Sequence, residues 1–157
     1  TTIWERWDGW TEEKGFQNPL MNSFNHYALG SVGEWMYRYM GGIRLAEPGY
    51  RNIVIRPSVS ERVRKADVRY RSIQGLIESR WAITDAGELE MQVTIPPNTI
   101  AEVVIPLAYG STILESGAPA EQAEGVVLLW RSEANSVYRC QPGTYRFSTQ
   151  QREEPRS

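Results

Sequence analysis

The spacing of apolar residues changes character near Gly41-Gly42. Before that point Phe24, Tyr27, Ala28, Val32, Trp35, Met36 and Tyr39 recur at steps of three and four, which predicts a helix over residues 22–40. Asn22 or Ser23 would cap its start and Gly41-Gly42 would end it. Glu34 and Arg38 are spaced for an i,i+4 ion pair on a narrow polar strip. The remaining face carries Leu29 and Met40 beside His26, Gly30, Gly33 and Tyr37. A helix with so little polar surface is expected to be buried on more than one side. No other segment of the chain has the pattern of a helix that could surround it.

After Gly42 the period is two, the repeat of a strand with one buried face. Strands are predicted at 53–55, 67–73, 76–83, 88–95, 100–106, 111–115, 126–131, 136–140 and 143–148. Gly75, Asp85-Ala86-Gly87 and Pro96-Pro97-Asn98 supply turns between them. Short strands with this punctuation describe a mainly β fold, an antiparallel, Greek-key-like β-sandwich. Trp81 and Trp130 fall in predicted strands and are read as sandwich core, the alternative being an exposed pair that forms a carbohydrate platform. Cys140 is read as a small apolar filler. The expected organisation is a helical remnant over 1–42, the sandwich over 43–149 and a charged, disordered tail over 150–157.

Composition narrows the function classes. A net charge of -2 gives no electrostatic reason to expect nucleic acid. No apolar run reaches the roughly 18 residues that would point to a membrane span. With one cysteine and one histidine, neither an internal disulfide nor a His- or Cys-based metal site is expected, and no cofactor is implied.

The candidate chemistry lies in the first ten residues. Trp4, Trp7 and Trp10 stand at every third position around Glu5, Arg6 and Asp8. Indole faces cover the apolar faces of sugar rings, while carboxylates and guanidinium groups bond ring hydroxyls, so the set suits a carbohydrate site. A carboxylate beside bulky aromatics also loses solvation, which fits it for acid–base work. Asp8, which precedes Gly9, reads first as a turn residue. Because this run stands at the first residue with no starting Met, the chain reads as the tail of something larger.

Trp4-Glu5-Arg6-Trp7-Asp8, then Met21-Asn22-Ser23-Phe24-Asn25-His26-Tyr27-Ala28 and Gly30-Ser31-Val32-Gly33-Glu34-Trp35, resemble the end of the catalytic domain of bacterial α-L-rhamnosidases, glycoside hydrolase family 78. Pro48-Gly49-Tyr50-Arg51, Ile53-Val54-Ile55-Arg56-Pro57 and Ile95-Pro96-Pro97-Asn98-Thr99 resemble that family's terminal β-sandwich. The resemblance implies that residues 1–42 are left over from an (α/α)6 barrel and that the reaction is an inverting hydrolysis. It implies that Glu5 is the general base and that His26 contacts rhamnose hydroxyls; Trp4 and Trp7 are candidate sugar contacts by residue type alone, the alternative being that Trp4, Trp7 and Trp10 all pack in the barrel core. The general acid would lie upstream of residue 1, so the chain alone should be inactive. The implied partners are a rhamnosylated glycoside or polysaccharide and the missing barrel residues, with a homo-oligomer left open. The alternative is a non-catalytic carbohydrate-binding or structural sandwich.

Overall fold

The computed structural model describes residues 2–151; residues 152–157, most of the expected tail, lie outside the described residues. The chain divides into two compact units, one from Thr1 to Met36 and one from Tyr37 onward.

In the first unit, β1 (Trp10–Thr11) pairs antiparallel with β2 (Gly15–Phe16). A 3-10 turn over Pro19–Met21 follows, capped by the Asn18 side chain, which accepts the Leu20 N–H. The helix expected to begin at Asn22 or Ser23 does not begin there. Residues 22–26 are irregular, Tyr27–Gly30 form a 3-10 turn, and α1 is only Ser31–Trp35, continuing as a π-helical turn over Met36–Met40. Asn22 and Ser23 are drawn away from capping by partners far along the chain. The Ser23 N–H donates to the Glu5 carboxylate, its carbonyl accepts the Glu5 N–H, and the Asn22 amide donates to the Gly9 carbonyl. The apolar side chains Val32, Trp35 and Met36 are exposed, not buried.

Gly41-Gly42 does stop the helix, for a reason of space as well as conformation. Gly42 has φ of 71°, and a Cβ there would lie 2.2 Å from the Arg56 carbonyl carbon and the Pro57 nitrogen. The Arg56 N–H donates to the Gly42 carbonyl at 2.9 Å, so the two backbones touch at the entrance to the sheets.

Two sheets follow. One orders β3 (Ile43–Leu45), β4 (Asn52–Ile55), β8 (Ile100–Pro106), β12 (Asn135–Cys140) and β11 (Val126–Arg131). The other orders β5 (Lys65–Ser72), β6 (Gly75–Ile83), β7 (Leu89–Ile95), β13 (Gly143–Gln150), β9 (Thr112–Glu115) and β10 (Ala118–Pro119). Pairing is antiparallel except between β4 and β8, which run parallel. The chain crosses between sheets after β4, after β7, after β8 and twice more before β13, giving the crossed connections expected of a sandwich.

One apolar core joins the sheets. Leu89, Met91, Val93 and Ile95 alternate inward along β7 and face Ala101, Val103 and Ile105 of β8 and Ile53 and Ile55 of β4. Tyr138 of one sheet stacks on Phe147 of the other at 5.8 Å, and its hydroxyl donates to Glu121 at 3.0 Å. Trp81 is 1% exposed and donates its indole N–H to the Met40 carbonyl at 2.8 Å, as a buried indole must.

Trp130 departs from the sequence reading. It is 51% exposed, although it keeps the same alternation as the inward-facing Val126 and Leu128. A register shift between Leu128 and Trp130 inserts one residue into edge strand β11, pairing Trp130 with Val137 and turning it to the outer face. With Trp81 buried, the two tryptophans do not form an exposed pair.

Cys140 is fully buried in β12 as expected, and burial pushes its thiol pKa up to about 12. Burial together with the neighbouring Tyr70 hydroxyl likewise raises Tyr50 to about 12. Both groups keep their protons in the folded chain where the unfolded chain releases them. Stability that is intact below the unfolded pKa, near 9 to 10, is therefore lost as pH rises toward 12. Urea titrations between pH 8 and pH 11 should show the midpoint falling with pH, and a thiol reagent at pH 8 should label Cys140 only after unfolding. A midpoint that holds constant across that range would exclude the proposed proton linkage.

Candidate functional site

The site residues expected from the sequence all lie in the first unit. Their placement starts from two short segments that run past each other. The Glu5 N–H donates to the Ser23 carbonyl at 2.8 Å, and the His26 N–H donates to the Ile3 carbonyl at 2.7 Å. The spacing is two residues on one side and three on the other, an irregular antiparallel contact that brings the backbones of Glu5 and His26 onto neighbouring segments. These bonds hold residues 22–26 away from helical geometry, and they also fix the two candidates.

Glu5 is half-buried, and its Oε2 accepts the Ser23 N–H at 2.9 Å. The same residue is thus tied to Ser23 through backbone and side chain together, which restricts the carboxylate far more than a surface glutamate. Ser23 and Asn22, expected as helix caps, instead act as the clamp for this loop. Arg6, which could have neutralised Glu5, bonds Asp8 at 3.2 Å through two nitrogens. Asp8 lies in the turn that Gly9 closes by donating to the Arg6 carbonyl, as its sequence context indicates.

His26 is half-buried in extended conformation, with φ of -84° and ψ of 113°, at the position before the 3-10 turn. It therefore precedes the helix, and the expected sharing of a helical face with Gly30 and Gly33 does not hold. Those glycines have open space where a Cβ would stand. The imidazole stacks on Tyr27 at 5.8 Å and 25°.

The tryptophans differ from one another. Trp4 is 38% exposed and packs edge-on against Phe24 at 4.7 Å, and Phe24 in turn meets Phe16 at 5.6 Å. Trp7 is fully solvent-exposed. Trp10 is half-exposed on β1 opposite Phe16. Phe24 was not singled out by the sequence reading because it fitted a helical stripe; its actual work is to anchor Trp4 beside Glu5. The arrangement can offer one oriented carboxylate, one imidazole and indole surface open to a ligand. Among the described residues no group of three or more His, Cys, Asp or Glu is placed to hold a metal ion. No helix among them is long and apolar enough to cross a membrane.

Two family models match the chain. Residues 1–40 match the family model of the bacterial alpha-L-rhamnosidase 6 hairpin glycosidase domain, and residues 42–118 match that of the bacterial alpha-L-rhamnosidase C-terminal domain. The chain is 39% identical over 148 residues to the alpha-L-rhamnosidase of Streptomyces avermitilis and 35% identical over 147 residues to that of Formosa agariphila. These alignments take in 94% of this chain but only 14% and 16% of the relatives. Among solved structures, the chain is similar to Streptomyces avermitilis alpha-L-rhamnosidase complexed with L-rhamnose, with a TM-score of 0.75 and 37% identity over 95% of this chain and 14% of the other. It is equally similar in fold to the alpha-L-rhamnosidase from Dictyoglumus thermophilum, with a TM-score of 0.75 and 32% identity over 94% of this chain and 16% of the other.

Proposed function

Because the chain belongs to the bacterial α-L-rhamnosidase family, spanning the end of the six-hairpin glycosidase domain and the C-terminal domain, we propose that it contributes the general base and sugar contacts of an inverting rhamnoside hydrolysis. In this reading residues 1–42 complete a helical barrel, residues 43–149 form the trailing β-domain, and the general acid comes from barrel residues outside this chain. The exposed apolar side chains of α1 agree with a helix that takes its cover from such a barrel.

The observation that carries the proposal is the double tie of Glu5 to Ser23, beside the segment that presents His26. One carboxylate oxygen accepts the Ser23 N–H, and the other is the natural proton acceptor. Water attacks the anomeric carbon, its proton passes to Glu5, and the glycosidic carbon–oxygen bond breaks as the acid protonates the departing oxygen. Inversion requires the two carboxyl groups to stand roughly 6.5–9.5 Å apart, leaving room for that water. His26 bonds rhamnose hydroxyls, and Trp4 and Trp7 supply apolar surface to the ring. The substrate is a rhamnosylated glycoside or polysaccharide.

The test is release of L-rhamnose from an aryl α-L-rhamnoside, with the configuration of the first-formed sugar read by NMR. The 157-residue chain alone should release none. The chain joined at Thr1 to the preceding barrel residues of the Streptomyces avermitilis relative should release the sugar with inverted configuration. A folded fusion that yields the retained anomer, or that leaves the rhamnoside intact, would overturn the proposal.

A further inference from the structure

The outward face of the six-stranded sheet carries side chains that the reaction above does not use. The register sets Asp67, Arg80, Gln92 and Arg146 in one row across β5, β6, β7 and β13. The two arginines therefore stand two strand spacings apart, about 10 Å between Cα atoms. Around this row lies a concavity of about 380 Å³, lined among others by Arg80, Glu90, Gln92, Ser116, Arg146 and Ser148. That volume falls in the range of small-ligand sites, roughly 300–1,000 Å³. Ser116 and Gly117 both have positive φ and close the β9–β10 hairpin as a tight two-residue turn at the groove's edge.

The charges along the row are unequally satisfied. Arg80 donates to the Asp67 carboxylate at 2.9 Å. The Arg146 guanidinium donates through Nε to the Gln92 amide oxygen at 3.2 Å, and no described carboxylate lies within ion-pairing distance of it. Glu115 is nearby in the chain pairing, but its carboxylate accepts the backbone N–H of Arg146. A guanidinium has five donors in a planar fork matched to a carboxylate, so Arg146 retains donors for an anion from solution. The Gln92 amide and the Ser148 hydroxyl beside it are groups that bond sugar hydroxyls.

We infer that this groove binds a saccharide carrying a carboxylate, with the acid seated on Arg146 and the ring lying across Gln92 toward Arg80. Glu90, two residues before Gln92 on the same face of β7 and directly across from Ser148, repels an acid on its own side and so turns the carboxylate toward Arg146. The groove would hold an acidic glycan without taking part in hydrolysis. The choice of a sugar among carboxylates rests on the rhamnosidase reading; the experiment therefore measures binding to this chain alone, where no hydrolysis is expected.

Trigalacturonate, its methyl ester and inorganic phosphate should be titrated into the 157-residue chain while backbone amide shifts are followed. Trigalacturonate should move the amides of Gln92, Ser116 and Ser148. The methyl ester should bind about tenfold more weakly, as expected for losing one charge-assisted bidentate contact. Arg146→Gln should weaken trigalacturonate by a similar factor, and Arg146→Lys should fall between, because it restores charge without the fork. Trp130→Ala, on the other sheet, should leave binding unchanged, and matching amide spectra outside the groove verify that each variant is folded. Equal binding of acid and ester, equal binding by Arg146→Gln, or the absence of groove shifts would overturn the inference. Phosphate binding as tight as trigalacturonate would overturn its saccharide component. Failure of the rhamnoside assay would leave all of these readouts intact, so the two proposals fail separately.

Discussion

Glu5→Gln, placed in a fusion that hydrolyses rhamnosides, is expected to lower kcat by roughly 10²–10⁴-fold, the usual contribution of a positioned general base. The substitution is nearly isosteric, and the amide oxygen can still accept the Ser23 N–H that the carboxylate accepts at 2.9 Å. The loop, and with it Trp4 and His26, should therefore stay in place. What disappears is the capacity to take a proton from water. KM should change little, because the sugar contacts are retained, while kcat and kcat/KM fall together. Azide, which attacks without losing a proton, should restore part of the turnover and give the inverted glycosyl azide. That rescue separates a missing base from a damaged fold, since a structural defect would not respond to the nucleophile. Glu5→Ala is a poorer test, for it also removes the side-chain tie to Ser23. Unchanged kcat in Glu5→Gln would remove Glu5 from the mechanism. His26→Ala should act in the complementary direction, raising KM more than it lowers kcat if its ring holds ground-state hydroxyls.

The sheets were legible in the sequence because each has one buried face, so alternation reports directly on geometry. The predicted limits of β8 and β11 match the observed ones, and those of β6, β7 and β12 differ at one end by a residue. The failures have local causes. β3 has only Ile43-Arg44-Leu45, too short for a period to be read. The parallel pairing of β4 and β8 joins segments about fifty residues apart and leaves no mark in either. Trp130 was assigned to the core because alternation assumes an unbroken register, and the extra residue in β11 reverses it. The helix start was misplaced because Asn22 and Ser23 have the side chains of caps, while the Asn22 amide N–H donates to the Gly9 carbonyl and the Ser23 backbone is held by Glu5, thirteen and eighteen residues away. Local propensity contains no information about such partners. The candidate site was legible only as far as residue types suggest a sugar; the pairing of Glu5 with Ser23 and of Ile3 with His26, which puts Glu5 and His26 on neighbouring segments, is tertiary.

Trp81→Ala should be the most damaging single change in the sandwich, costing about 3–5 kcal/mol, the range for truncating a buried large aromatic. The side chain is 1% exposed among Ile77, Met91 and the other residues of the shared core, so little solvent or flexible chain is available to fill the space. A second loss adds to the cavity. The indole N–H satisfies the Met40 carbonyl at the last residue of the π-helical turn, next to Gly41-Gly42. Trp81→Phe separates the two effects: it keeps most of the apolar volume and gives up the bond, and should cost about 1–3 kcal/mol. Against a typical domain stability of about 5–15 kcal/mol, the alanine variant should be marginal at 37 °C while the phenylalanine variant stays folded. Urea unfolding followed by far-ultraviolet circular dichroism measures both without relying on the indole's own fluorescence. Trp130→Ala is the internal control, since loss of an exposed edge-strand indole should change the unfolding free energy by less than about 1 kcal/mol. If Trp81→Ala and Trp130→Ala proved equally mild, the assignment of opposite faces to two residues of the same type, and with it the register reversal in β11, would be wrong. If the order holds, one inserted residue is sufficient to decide whether a tryptophan builds the core or faces water.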